Sequence, residues 1–427
     1  MNWLQWTSLV AVLASPSLRA QSDKRVYDLL TAQRASLAAR LANPQLAADE
    51  KALVQGSYDR FEAVLHDPEA FRVEIAIGDV VAVEGAPPKL AIATWRGNAE
   101  YFYPASTVKL CAAVAAFERF NDLARASYVK IRPTTPLAFY PLFKGEQLET
   151  DDATNVDGGK LTLAHLIRRM LIVSDNDAFN DLYDFCGQKW LNERMWRAGL
   201  RSVRISHRLS FPLTPQQNRT TRKVEFRVPD FPLLLPEQSC NLELDLEGVK
   251  GWMVGASFFD EHDEKIDKPM SFYFKNMFGL NDMLRCLARI VRPDLALDGE
   301  PFDLTAEQRE FLMQALAQYP GDSTNPLYPR EKYPDDYVKY FMPGLARVVP
   351  VERLKIYNKV GEAYGFLTDD AYIVDTQTGK CFFLAATVYA NSDGVVNDDK
   401  YDYATFALPF FADLAELIAR DEWDPKK

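Results

Sequence analysis

Pro104-Ala105-Ser106-Thr107-Val108-Lys109 opens a run that stays almost wholly apolar to Phe120. Such a run predicts a helix buried on most sides. Side chains three apart share one helical face, so the Ser106 hydroxyl and the Lys109 amine come within reach of each other. A serine alone is a weak nucleophile. A lysine activates it where burial or neighbouring cations hold the amine partly neutral. The helix start adds unpaired N–H groups and the positive end of the helix dipole, both suited to a developing oxyanion. The spacing is nevertheless common by chance, and its commoner outcome is an N-terminal cap beside a solvated lysine.

Outward from this helix the pattern changes in kind. Residues 24–66 place Val26, Leu29, Leu30, Leu37, Leu41, Tyr58, Phe61 and Leu65 at helical intervals, which predicts one or two amphipathic helices. Between Arg72 and Phe102, apolar runs at 73–77 and 90–95 flank Gly85-Ala86-Pro87-Pro88 and predict a hairpin. Leu163, Leu166, Ile167, Met170 and Leu171 mark a helix over 162–172, ending at Ser174-Asp175-Asn176. The stretch 194–275 is irregular. Residues 320–350 form a long proline-rich loop, where Tyr319, Tyr328, Tyr333, Tyr337 and Tyr340 either pin the chain or line a groove, pinning being the favoured reading. Strands are expected at 354–360, 371–374 and 382–389, and a last helix at 401–419. Strands from both ends must meet in one sheet, because neither set buries a face alone. The middle then becomes an inserted helical lobe.

Composition narrows the class. The 427 residues carry 49 Lys and Arg against 60 Asp and Glu, a net charge of −11, and 48% are hydrophobic. That is a globular chain, and its acidic balance argues against nucleic acid as a partner. The apolar stretch Trp6 to Pro16, followed by Ser17-Leu18-Arg19-Ala20-Gln21, reads as an export signal cleaved after Ala20. It is too short for a stable membrane span, and an uncleaved surface anchor is the alternative. The expected organisation is a signal peptide at 1–20 and a single catalytic domain at 21–427. Within it, an α/β lobe is drawn from 21–121 and 350–427, and an enlarged helical lobe from 122–349. Five scattered cysteines leave one or two disulfides open, and nothing in the pattern asks for a metal or another cofactor. Oligomeric state is not readable.

Two further elements follow Ser106 and Lys109 in order: Ser174-Asp175-Asn176 after an amphipathic helix, and Lys359-Val360-Gly361 on a strand. Together they resemble the SxxK, SDN and KTG motifs of the serine β-lactamase and penicillin-binding protein family, closest to class A β-lactamases. The resemblance spans roughly residues 70–200 and 275–420. It implies an α+β fold of the serine β-lactamase/DD-peptidase type, an antiparallel sheet flanked by helices. It also implies Ser106 as the acylated nucleophile, Lys109 as its base and Ser174 as a proton relay. Lys359 would tune Ser174 and attract a substrate carboxylate, Asn176 would bind the substrate amide or Lys109, and Gly361 would let substrate backbone approach. The oxyanion hole would be the backbone N–H groups of Ser106 and Glu362. Asp175 is expected to brace its loop.

Three departures qualify the resemblance. Val360 stands where the family usually has a hydroxyl. The span from Ser174 to Lys359 is several dozen residues longer than in an ordinary class A enzyme. The ExxLN glutamate used for deacylation is missing, and from Arg194 to Lys223 there is no acid at all against eight Lys and Arg. Those charges read as a solvated surface in preference to a rim for an anionic substrate, and His207 as structural in preference to a substitute base. The expectation is therefore an exported, secreted or periplasmic serine hydrolase acting on a small-molecule or peptide amide, ester or β-lactam. The alternative is a non-hydrolytic penicillin-binding or cell-envelope binding protein.

Overall fold

The structure, a computed structural model, describes residues 16–424, with side chains from Lys24 onward. The expected export signal lies mostly outside these residues; the first helix already runs from Pro16 across Ala20. Five strands form one antiparallel sheet: β1 (Glu74–Val83), β2 (Ala86–Trp95), β3 (Leu354–Ala363), β4 (Phe366–Asp375) and β5 (Cys381–Tyr389). Their order is β3-β4-β5-β1-β2, so the two chain ends meet where β5 pairs with β1, Ala76 facing Ala385. The β1–β2 turn comes earlier than the sequence suggests, at Glu84 and Gly85, and Pro87 and Pro88 fall inside β2. An edge strand tolerates one of them because its outward N–H needs no partner, and the register shift between Val81 and Val83 on β1 accommodates the other.

Helices cover both faces. On one, α1 (Pro16–Leu41), α2 (Ala48–His66) and the last helix, Leu408–Glu422, bury Val26, Leu30, Phe61, Phe410 and Leu414 against Ile75, Ile356 and Leu384. On the other lies α3 (Lys109–Ala126), preceded by a 3-10 turn at Ala105–Val108. Behind it pack α4 (Leu163–Ile172), capped by the Thr162 side chain, α5 (Asn176–Cys186), capped by Asp175, and α6 (Gln188–Arg197). Two further helices, α7 (Leu280–Val291) and α8 (Ala306–Ala317), return to the sheet. Tyr357, Tyr372 and Phe383 meet Val114, Leu284 and Leu287 in this second core. Thus α7, from the segment expected to form the separate lobe, is itself a wall of the sheet. Among the described residues no helix is long and apolar enough to cross a membrane, and all five cysteines are free.

The acid-free stretch is a solvated surface only in part: Arg197 and Arg201 are exposed, but Arg194, Arg208 and Arg222 are buried in ion pairs. Arg194 pairs with buried Glu118, and Arg208 and Arg222 both reach buried Asp184, Arg222 also holding Asp181 and Glu149. Their acids lie on neighbouring helices or before them in the chain, so local composition hides the pairing.

The proline-rich loop is held by one buried cation. Lys339 donates to the Leu316 carbonyl (2.9 Å), the Ile356 carbonyl (3.1 Å) and Asn358 Oδ1 (2.8 Å), while Asn358 Nδ2 donates to Asp369 Oδ1 (2.8 Å). The loop is thereby fixed to the outer edge of β3. Lys339→Met fills the same volume but leaves three buried acceptors bare, so urea unfolding at neutral pH should show a loss of about 1–3 kcal/mol. A loss below a few tenths would mean that other contacts hold the loop.

Candidate active site

The residues singled out in the sequence converge where the 3-10 turn, the Ser174 loop and β3 meet. Lys109 Nζ lies 2.8 Å from Ser106 Oγ, 2.6 Å from Asn176 Oδ1 and 3.2 Å from Ser174 Oγ, and also reaches the Ser174 carbonyl. From the strand side, Lys359 Nζ donates to Ser174 Oγ at 2.8 Å and to the Val360 carbonyl at 2.9 Å. Ser174 therefore sits between two lysines. Asn176 Nδ2 donates onward to Ser210 Oγ at 2.8 Å, a residue that carries no motif and was invisible in the sequence.

Both amines are buried, Lys109 fully and Lys359 to within 2%. Burial drives the Lys109 amine well below its ordinary range, and the Lys359 charge adds to that effect. Burial likewise brings Lys359 down to about 7. The hydrogen-bond inventory agrees with a neutral Lys109. The Ser174 carbonyl and Asn176 Oδ1 can only accept, so a neutral amine gives its two protons to them and turns its lone pair towards a serine hydroxyl. That is the arrangement of a base beside a nucleophile.

Backbone strain holds the acting groups. Ala105 (φ 45°) and Ser174 (φ 60°) both take left-handed conformations that cost a non-glycine residue on the order of 1–2 kcal/mol each. Asp175 braces the second by capping α5 through the Ala178 N–H (2.8 Å) and by pairing with Arg169 (2.7 Å). Gly361 is also required by the chain itself. A Cβ there would lie 2.4 Å from the Pro104 carbonyl oxygen, so it is the chain's own backbone that needs the space. Along β3 the Ile356 carbonyl accepts from Lys339 of the loop at the sheet edge, and the Val360 carbonyl, likewise unpaired in the sheet, from the amine of its own neighbour Lys359. By the two-residue alternation of a strand, the Glu362 N–H points off that same free edge, towards the turn carrying Ser106.

Two cavities meet at Ser106, of about 730 Å³ and 540 Å³, and both are also lined by Asn176 and Glu362. The larger takes in Tyr337 and Tyr340, so these loop tyrosines line a groove instead of only pinning the loop. His207 lines neither. Its ring stacks on Tyr103, and burial, helped by the Lys275 charge, pushes it down to about 3. Glu225, from the enlarged segment, is engaged by the Tyr140 hydroxyl. Among the described residues no group of His, Cys, Asp and Glu is placed to hold a metal ion.

A sequence model described as the "Beta-lactamase enzyme family" matches residues 95–318, just over half of the chain. The chain belongs to the β-lactamase enzyme family. The match includes Ser106, Lys109 and the Ser174 loop and stops before β3. Solved structures similar to this member include a β-lactamase from Sphaerobacter thermophilus (17% identity, 86% of this chain and 97% of that one, TM-score 0.46). Others are a β-lactamase from Desulfarculus baarsii (16%, 91% and 97%, 0.45) and a class A β-lactamase from Mycobacterium abscessus (14%, 84% and 96%, 0.43). No curated protein matches the sequence.

The paired lysines set a pH dependence. Replacing Lys359 by Gln removes a positive charge that disfavours protonation of Lys109, so the Lys109 amine should rise. The acidic limb of Ser106 labelling by a fluorophosphonate should then move to higher pH, with slower labelling at any pH on that limb. An unmoved limb would show that burial alone sets the state of Lys109.

Proposed function

We propose that this protein is an exported serine hydrolase working through an acyl-enzyme on Ser106. The observation that carries the reading is the 2.8 Å approach of a buried, proton-poor Lys109 amine to Ser106 Oγ, with Ser174 bridging to Lys359. In this reading Lys109 takes the Ser106 proton as Oγ attacks an amide, ester or β-lactam carbonyl. The N–H groups of Ser106 and Glu362 receive the oxyanion. Ser174, polarised by Lys359, returns a proton to the leaving group, and Asn176 orients Lys109 and the substrate. Export rests on the apolar N-terminal stretch, and the catalytic unit is the single domain from residue 21 on.

Deacylation needs a base for water; the ExxLN glutamate is missing, neither His207 nor Glu225 lies at the cleft, and among the described residues no carboxylate is hydrogen-bonded to Ser106 or Lys109. A penicilloyl adduct on Ser106 is therefore long-lived, its hydrolysis slower by about the 10²–10⁴ that a positioned base supplies. Intact-mass spectra after brief exposure to penicillin should show one adduct persisting for minutes. Rapid return to the unmodified mass would overturn this and turn attention to the carboxylates of Glu362 and Asp399, which line the cleft. An adduct that never clears with any substrate would favour the penicillin-binding reading instead.

Ser106→Ala should abolish labelling by penicillin and by activated esters, because no second nucleophile stands beside a base. Lys109→Ala should slow acylation by about 10²–10⁴-fold while the protein still melts cooperatively. Labelling that survives in Ser106→Ala would end the proposal.

A further inference from the structure

We propose that the cleft selects substrates bearing a positively charged, ammonium-type group and disfavours those bearing a carboxylate, with the Glu362 side chain as the specificity-determining residue. The inference rests on the hydrolase reading above and names the class of substrate it serves.

Glu362 directly follows Gly361 on the free edge of β3 and lines both cavities that open from Ser106, its carboxylate beside the Tyr340 hydroxyl. In the larger one Asp336 adds a second carboxylate, and in the smaller one Asp399 adds a third. Tyrosines surround them. Tyr340 donates its hydroxyl to Glu362 Oε2 at 3.3 Å, Tyr337 lies in the same cavity, and Tyr401 and Tyr403 lie in the other. A carboxylate in a cleft lined with tyrosines is suited to an ammonium group, which donates a charge-assisted hydrogen bond to the carboxylate and is attracted to aromatic rings.

Most of the positive charge nearby is already engaged or lies outside the cavities. Lys109 and Lys359 line neither cavity, and their contacts run to Ser106, Ser174, Asn176 and the Ser174 and Val360 carbonyls. The one guanidinium in the larger cavity, Arg347, is tied to Asp413 (2.9 Å) and Glu416 (3.1 Å). Lys275 lies over the outer Tyr364 ring, 5.2 Å from its centroid, and is not part of either lining. Val360, which lines the larger cavity, has no hydroxyl to donate to a carboxylate. An anionic substrate would thus meet two carboxylates in either cavity against the one partly engaged guanidinium of Arg347 in the larger, a mismatch that costs affinity by itself.

The test uses three para-nitrophenyl esters with acyl chains of matched length ending in an ammonium, a methyl or a carboxylate group. In each, Ser106 Oγ bonds to the acyl carbon, its proton passes to Lys109, and nitrophenolate leaves. The expected order of kcat/KM is ammonium, then methyl, then carboxylate, with about ten- to hundredfold between the first and last, the worth of a hydrogen bond to a charged group. The ammonium-to-methyl ratio should fall towards one in Glu362→Gln, fall partly in Asp336→Asn, and shrink with added salt in the unmodified protein. Equal rates, a preference for the carboxylate ester that would point to Arg347, or an ammonium preference that survives in Glu362→Gln each overturn the inference and leave the hydrolase reading standing. Absence of Ser106-dependent release with all three esters overturns the hydrolase reading itself, and this inference with it.

Discussion

Two lysine amines brought into one water-poor space are the constraint on which the rest of this molecule depends. Each alone would be costly to bury, and together they repel. The structure meets that cost with fixed acceptors: the Ser174 carbonyl and Asn176 Oδ1 for Lys109, the Val360 carbonyl for Lys359, and Ser174 Oγ between them. Apart from the Val360 carbonyl, which neighbours Lys359 in the chain, each acceptor comes from a part of the chain distant from the lysine it serves. The α4–α5 junction, the edge of β3 and the turn before α3 must therefore be assembled together before either amine can be accommodated. The strained conformations of Ala105 and Ser174 mark where that assembly presses on the backbone.

A third buried lysine extends the same logic away from the cleft. Lys339 joins the proline-rich loop to α8 and β3, and through Asn358 to Asp369 on β4. The loop could have lain on the surface held only by its aromatic rings. Instead it is clamped against the strand that carries Lys359, and Tyr337 and Tyr340 are presented to the cavity beside Ser106. Loop and cleft are thus one unit mechanically as well as spatially.

The fold was legible in the sequence because its signals are local. Apolar periodicity located α4, the alternation after residue 354 located three strands, and the three short motifs each carried their own context. What stayed hidden depends on partners far away in the chain. Arg194, Arg208 and Arg222 looked like surface charge until Glu118, Asp181 and Asp184 were seen against them. Tyr337 and Tyr340 line the groove only because Lys339 turns the loop inward. Gly361 was expected to admit substrate backbone; the group that meets it within the chain is the Pro104 carbonyl, which no strand pattern could name. The Glu362 side chain was overlooked because the motif drew attention to its N–H alone.

The contact between Gly361 and the Pro104 carbonyl bears on how the protein tolerates changes of medium. The spacing between the nucleophile's turn and the strand edge is set there by two backbones meeting in van der Waals contact. Such a stop carries no charge and no titratable proton, so neither acid nor salt loosens it. The amines around it can gain or lose protons, and the cleft can exchange one kind of occupant for another, while the gauge of the opening stays constant. The site is electrically adjustable on a mechanically fixed frame.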